Sequence, residues 1–227
     1  MTDSRISIIV PTLNEAGQIG SMLSKLQPLR ERGHEVIVVD GGSGDKTTSE
    51  AKPFVDRVLD APRGRASQLA FGAKASGHPV LWFVHADTWI PKNADHLIIE
   101  ALRNAVWGRF DVRLSGRDCH PGLSIVERFM NDRSRLTGIA TGDQGIFVTR
   151  TAFNAIGGIP SLPLMEDVEL SRRLKVLGRP ACIREPLTTS SRRWEQHGVF
   201  RTVAFMWLLR GAYGIGIPPN ILARFYH

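Results

Sequence analysis

The feature that most constrains this chain is a set of short apolar runs that do not alternate. Ile6-Ser7-Ile8-Ile9-Val10, Glu35 to Val39 and Val80-Leu81-Trp82-Phe83-Val84 are rich in β-branched and large apolar residues, with hardly a polar break. A strand with one wet face alternates apolar and polar residues, whereas a strand covered on both faces reads as a continuous apolar run. Helical patterns separate the runs: Glu15 to Leu26, Thr47 to Ala51, Arg65 to Ser76 before Gly77, and Asn93 to Arg103. Arg57-Val58-Leu59-Asp60 reads as a weaker strand among them. The expected class is α/β: a doubly wound, mainly parallel sheet with helices on both faces.

The order loosens after Val106. Trp107 to Leu114 alternates like a half-exposed strand, and Gly122 to Leu136 reads as a helix. Gly145 to Thr149 reads as a strand, while Arg150 to Ile156 and Glu166 to Leu177 read as helices. With no repeat and no low-complexity linker, residues 1–194 read as one domain. Its nucleotide-binding half is about 1–105 and its acceptor half about 106–194, with an amphipathic helical extension over 195–227.

Composition removes several classes. A chain of 227 residues holds one such domain and a short appendage. With 42% hydrophobic and 22% charged residues, long disorder is excluded. No apolar run approaches the roughly 18–20 residues that span a bilayer. Thr2-Asp3-Ser4-Arg5 leads into a strand pattern, so no signal peptide is expected. Cys119 and Cys182 fit neither a zinc spacing nor a disulfide framework, which points to a reducing, cytoplasmic setting. The net charge of +7 favours an anionic partner. The arginines are scattered and no nucleic-acid motif is visible, so nucleic acid is not expected.

Ligands of open α/β sheets bind beyond the carboxyl ends of the strands. Pro11-Thr12-Leu13-Asn14-Glu15 follows the first strand, Asp40-Gly41-Gly42-Ser43-Gly44-Asp45 the second, and His85-Ala86-Asp87 the fourth. The first of these has no glycine, which excludes a dinucleotide fingerprint. In Gly41 to Thr48 a P-loop would need glycine where Asp45 stands, and a carboxylate there repels phosphate. Gly-x-Ser-x-Gly is absent, which removes the usual hydrolase elbow.

These loops resemble the nucleotide-side loops of family 2 glycosyltransferases with the GT-A fold. His85-Ala86-Asp87 sits where that family has its Asp-x-Asp metal motif, with histidine replacing the first aspartate. Glu166-Asp167 resembles its Glu-Asp motif, and Arg192-Arg193-Trp194 its later Arg-Trp element. Arg63-Gly64-Arg65-Ala66 and Gly142-Asp143-Gln144-Gly145 resemble a bacterial subgroup with poorly defined acceptors. The resemblance implies inverting transfer from a UDP- or GDP-linked sugar with Mn²⁺ or Mg²⁺ as cofactor. It implies donor contacts from Pro11, Thr12, Glu15, Asp40, Gly41, Ser43, Arg63, Arg65, Gln68, Ala86, Asp87 and Arg193. Asp143, Gln144 and Trp194 would face the acceptor or sugar. Asp167 would be the general base with Glu166 beside it, and Asp87 with His85 would hold the metal.

The residue types suit those roles. Arg65 opens a helix whose free N–H groups and guanidinium suit a diphosphate. Residues two apart on a strand share a side, so His85 and Asp87 can face one ligand. Glu166 and Asp167 begin a helix after an apolar loop, where burial raises a carboxyl pKa. In the extension, Phe200 to Leu209 is apolar nearly all round, with Arg201 and Arg210 on either side of the apolar block. That pattern suits an anionic membrane surface, with the arginines reaching headgroups, and equally a helix packed on the core or on a second copy of the chain; a lipid-type acceptor would agree with it. The competing functions are a sugar nucleotidyltransferase and a non-catalytic nucleotide-binding protein at a membrane surface. The former normally carries a Gly-rich, Lys-containing first loop, which Pro11 to Glu15 lacks.

Overall fold

The computed structural model describes residues 5–116, 121–191 and 198–225. Its strands are β1 (Ile6–Thr12), β2 (Glu35–Asp40), β3 (Arg57–Asp60), β4 (Val80–Phe83), β5 (Thr88–Trp89), β6 (Trp107–Leu114), β7 (Phe147–Thr149) and β8 (Ala181–Thr189). They form one sheet in the order β3-β2-β1-β4-β7-β6-β8-β5. β1 pairs in parallel with β2 and β4, and β2 with β3. β7 runs antiparallel to β4 and β6, while β6 and β8 are parallel. The first half is therefore the expected parallel sheet, and the second half is mixed.

Both faces of the early strands are covered, as their unbroken apolar runs require. Ile8 and Val10 pack with Ile19, Met22 and Leu23 on one face. Ile9, Ile37 and Val39 pack with Leu69 and Ala73 on the other. The helices responsible are α1 (Ile19–Ser24), α2 (Gln27–Glu31), α3 (Thr47–Ala51), α4 (Arg65–Ala75) and α5 (Ala94–Ala101). α4 lies so close to the sheet that a Cβ on Gly72 would come within 2.4 Å of Ile9 Cγ2. The helix expected from Glu15 begins only at Ile19, and Pro28 opens a separate short helix after it.

The later helices are α6 (Pro121–Thr137), α7 (Arg150–Ala155), α8 (Glu166–Leu177), α9 (Val199–Gly214) and α10 (Pro219–Ala223). α6 is fastened to β6 by side chains that replace a neighbouring strand. Asn131 Oδ1 accepts from Val112 N (2.9 Å) and its Nδ2 donates to Val112 O (3.0 Å). Glu127 Oε1 accepts from Leu114 N at 2.7 Å. These contacts fix which face of α6 turns to the interior beyond the sheet. β8 has no counterpart in the sequence reading, because Arg184, Glu185 and Pro186 interrupt its pattern and β6 shifts register beside them, between Phe110 and Asp111.

The extension is not detached. Leu209 on α9 and Leu222 on α10 are buried against Leu164, Met165 and Val168, with Phe205 partly buried beside them. Among the described residues no helix is long and apolar enough to cross a membrane.

Candidate functional site

The loops after β1 and β2 hold each other. Asn14 N donates to Ser43 Oγ (2.9 Å), and Gly44 N donates to Asn14 Oδ1 (2.9 Å). Glu15 N donates to Thr47 Oγ1, Ala16 N to Asp45 Oδ2 and Gly17 N to Glu50 Oε2. Asn14 takes φ 55°, a left-handed conformation that asparagine tolerates better than most residues. Asp40 is buried and accepts from Gly42 N (2.9 Å), Ser43 N (2.7 Å), Ser43 Oγ and Thr12 Oγ1. Gly41 N donates to Thr12 O at 2.9 Å. A carboxylate that accepts the N–H groups two and three residues on is a built-in turn former.

Gln68, expected beside the diphosphate, faces inward. It is buried, and its Nε2 donates to Thr12 O (2.7 Å) and Val39 O (2.8 Å), bracing the ends of β1 and β2. A Cβ on Gly41 would meet it at 3.1 Å. Gln144 likewise is fully buried: its Oε1 accepts from Thr141 N and its Nε2 donates to Asn131 Oδ1, so it caps the turn at Gly142–Gln144. Thr12 and Ala86 are buried, Pro11 is half-buried and Arg63 is exposed. Arg193 and Trp194 lie outside the described residues.

Of the remaining predicted residues, Arg65, His85, Asp87, Asp143 and Asp167 line one cavity of about 570 Å³. Arg65 Nε pairs with Glu166 Oε1. Glu166 is buried at the first turn of α8, where the helix field favours carboxylates. Met165 just before it is buried with φ 65°, a left-handed conformation that costs a side-chain-bearing residue about 1–2 kcal/mol. Strain of this kind persists where packing fixes the backbone, here through the Leu164, Met165 and Val168 cluster.

Asp167 Oδ2 accepts from Gly142 N (2.9 Å) and Oδ1 from Val168 N (2.8 Å). Burial pushes its carboxyl above the ordinary range, and the adjacent Glu166 charge pushes it further. Arg65 and the two N–H groups pull the other way without cancelling the rise. His85 Nδ1 lies 3.2 Å from Asp143 Oδ1. Its Nε2 presses on the turn, since a Cβ on Gly142 would come within 2.5 Å of it. His85 thus braces Asp143 and the Gly142 turn, which leaves Asp87 as the better placed of the expected pair of metal ligands. Among the described residues no three His, Cys, Asp or Glu side chains form a metal cluster. Asp87 brings one carboxylate to the cavity that the His85–Asp143 pair also lines, which fits an ion that would take its remaining ligands from outside the protein.

Two arginines on the cavity wall escaped the sequence reading. Arg133 on α6 sat in a helix with no motif, and Arg210 on α9 reached outward to headgroups in one of the readings left open. Both line the cavity. The signal was periodic: Val126, Phe129, Met130 and Arg133, like Val203, Met206, Trp207 and Arg210, fall at i, i+3, i+4 and i+7. Each set is one helical face whose apolar stripe ends in a guanidinium.

The sequence profile of Glycosyl transferase family 2 matches residues 7–156. A β-monoglucosyldiacylglycerol synthase of Synechocystis sp. is 25% identical over 228 residues, covering 85% of this chain and 46% of the relative. A Staphylococcus aureus poly-β-1,6-N-acetyl-D-glucosamine synthase is 27% identical over 105 residues, covering 44% of this chain and 26% of its own. The chain thus spans less than half the length of these curated relatives. Among solved structures, the mannosyltransferase PcManGT from Pyrobaculum calidifontis, in complex with GDP-Man and Mn²⁺, has a TM-score of 0.63 at 21% identity, over 82% of this chain and 56% of its own. S. aureus TarS 1–349 in complex with UDP-GlcNAc has a TM-score of 0.66 at 15% identity, over 82% of this chain and 58% of its own. These neighbours share the expected GT-A fold. With the profile covering both zipped loops, β4, Asp87 and the Gly142 turn, the chain belongs to glycosyl transferase family 2.

Proposed function

We propose that this chain transfers a hexose from a UDP- or GDP-linked sugar to an acceptor hydroxyl with inversion at the anomeric carbon. The observation that carries the reading is Asp167: a half-buried carboxylate with a raised pKa, opening on the same cavity as Asp87 and Asp143. A base poised above the ordinary carboxylate range is better matched to removing a hydroxyl proton. In this reading Asp167 takes the acceptor proton as the acceptor oxygen attacks. The bond from the anomeric carbon to the diphosphate breaks, and the nucleoside diphosphate leaves with the electron pair. Glu166 holds Arg65, and Arg65 faces the leaving group's charge. The zipped loops after β1 and β2, with Thr12, Glu15, Asp40, Gly41 and Ser43, receive the nucleoside. Asp87 would hold Mn²⁺ or Mg²⁺, which when bound would supply counter-charge to the leaving diphosphate. The donors named in the structures of PcManGT and TarS support a nucleotide-sugar donor.

A lipid-type acceptor at a membrane surface is the companion reading. Ile125 (72% exposed), Phe129 and Trp207 (56%) stand at the cavity, and Leu208 and Ile215 continue the exposed apolar surface along α9. The name of the Synechocystis relative, a glucosylated diacylglycerol synthase, agrees with it.

Thermal shift with UDP, GDP and their sugars, with and without Mn²⁺, tests the donor site. Stabilisation by one nucleoside diphosphate should require metal and vanish in Asp87→Asn. Metal-independent stabilisation, or a full response in Asp87→Asn, would overturn the metal assignment.

A further inference from the structure

The wall that faces the catalytic carboxylate is built from two helices with the same spacing. α6 presents Val126, Phe129, Met130 and Arg133 to the cavity, and α9 presents Val203, Met206, Trp207 and Arg210. The helices meet where the Phe129 and Trp207 rings lie 4.9 Å apart between centroids. Each stripe is apolar for one turn and then ends in a guanidinium, one turn further on.

Each guanidinium keeps buried nitrogen without a hydrogen-bond partner among the described residues: Nε and Nη2 of Arg133, and Nε of Arg210. Buried N–H groups of a charged side chain are costly to leave unpaired. The nearby charges felt by Arg133 are Asp167, which favours its cationic form, and Arg109, which opposes it. Arg109 is itself committed to Asp111, whereas Asp167 accepts from the Gly142 and Val168 N–H groups. In the proposed donor reading the diphosphate has its own cation in Arg65, which is tied to Glu166. The pair on α6 and α9 is therefore surplus to the donor, and its surroundings are apolar where a sugar nucleotide is polar.

We propose that this wall is the acceptor subsite, and that it takes an anionic amphiphile: a phosphate monoester on an apolar body that also bears the accepting hydroxyl. The phosphate is held by Arg133 and Arg210, and the apolar body lies along the Val126–Met130 and Val203–Trp207 stripes. The proposal deepens the transferase reading and rests on it, because the acceptor's anion sits beside the base that would deprotonate its hydroxyl. Guanidinium groups suit this task, with N–H forks that match phosphate oxygens.

The test uses hexyl phosphate, glycerol phosphate, inorganic phosphate and hexanol as probes, with binding read by calorimetry on the full chain. Hexyl phosphate should bind at least about tenfold more tightly than glycerol phosphate or inorganic phosphate, as burial of several methylenes requires. Arg133→Gln and Arg210→Gln should each weaken it about tenfold or more, the loss expected for one charged hydrogen bond, while metal-dependent nucleotide binding stays at the wild-type value. Arg133→Lys should restore part of the affinity. Trp207→Ala should weaken hexyl phosphate and leave inorganic phosphate unchanged, which guards against a folding defect in the arginine variants. Glycerol phosphate binding as tightly as hexyl phosphate would show that the apolar stripes are unused, and hexanol binding as tightly would show that the arginines are. Displacement of hexyl phosphate by UDP or GDP, or loss of nucleotide binding in the arginine variants, would assign the arginines to the donor. Each of these results, or no hexyl phosphate binding at all, overturns the proposal. The donor reading is tested separately by the metal-dependent nucleotide response, so the two can fail independently.

Discussion

The loops after β1 and β2 and the wall formed by α6, α8 and α9 border the same edge of the sheet, yet they are built on opposite principles. In the loops, backbone N–H groups of 14–17 and 42–44 are taken up by side chains of the facing loop or of the same turn. In the wall, a carboxylate is held above its ordinary pKa, a buried methionine sits in a left-handed conformation, and two guanidinium groups keep buried nitrogens that are unpaired among the described residues. Satisfied polar groups make a rigid, ready-made surface, which suits the repeated binding of one ligand type. Unsatisfied groups store free energy that a ligand or a transition state can release. In the proposed reading, the difference places shape where the nucleoside is received and chemistry on the other side.

The sharpest way to break this contrast is Asp167→Asn. The amide oxygen still accepts from Gly142 N, so the turn is kept while the base is lost. A positioned base contributes about 10²–10⁴ in rate, so kcat should fall by that order with donor affinity unchanged. Stability should move the other way. A carboxyl whose folded pKa is raised destabilises the fold as pH rises from its unfolded pKa through the folded one. At neutral pH the Tm of Asp167→Asn should thus equal or exceed that of the wild type. A variant that keeps more than about half its turnover would move the base elsewhere, with Asp143 next in line.

The same carboxylate gives a pH test. Activity requires ionised Asp167, so the acid limb of kcat/KM should lie above the ordinary carboxylate range. Glu166→Gln removes one of the two causes that raise this pKa, and Arg65, which lowers it, remains close. The acid limb should move to lower pH in this variant. A limb that stays in place would show that it reports another group.

On the closed side the largest effect is expected at Gln68. Gln68→Leu removes the donors to Thr12 O and Val39 O and leaves two buried carbonyls without them. The cost should be about 1–3 kcal/mol, read by denaturant unfolding. Were Gln68 a phosphate ligand instead, stability would hold and donor affinity would fall.

The two regions also differed in how much the sequence revealed. Parallel strands buried on both faces leave a period-free apolar run, and the turns after them carry Gly, Asn and Asp for stated steric reasons, so the first half was legible down to the loops. β8 was not, because Arg184, Glu185 and Pro186 sit on exposed or half-exposed strand positions and β6 shifts register beside them. Asp87, Asp143 and Asp167 were found through motif order and do share one cavity. Gln68 and Gln144 were misjudged because a glutamine that braces backbone and one that binds a ligand look alike in sequence. Arg210 was misjudged for a different reason. Charges flanking an apolar block suggest a surface helix, but at i+7 from Val203 this one turns in with the stripe that lines the cavity.

That inward turn narrows the last prediction, which concerns the outer face of α9. With Arg210 on the cavity and Phe205 and Leu209 packed on Leu164, Met165 and Val168, the exposed apolar groups are Trp207, Leu208 and Ile215. Exposed large side chains on one helix beside a cavity mouth suit the interfacial zone of a bilayer, where tryptophan is favoured. The net charge of +7 adds attraction to an anionic surface, worth about 1 kcal/mol for each basic residue that reaches it. Co-sedimentation with phosphatidylglycerol-rich vesicles should show binding that weakens as salt screens the charge. Trp207→Ser with Leu208→Ser and Ile215→Ser should reduce it about fivefold to tenfold, since each side chain is only partly withdrawn from water at such a surface. Because these positions lie away from the zipped loops, the same variant should bind UDP or GDP as the wild type does. Absence of vesicle binding at low salt, together with a concentration-dependent dimer that the triple variant abolishes, would assign the face to a second copy of the chain. The open side of the cavity would then be completed by protein in place of lipid.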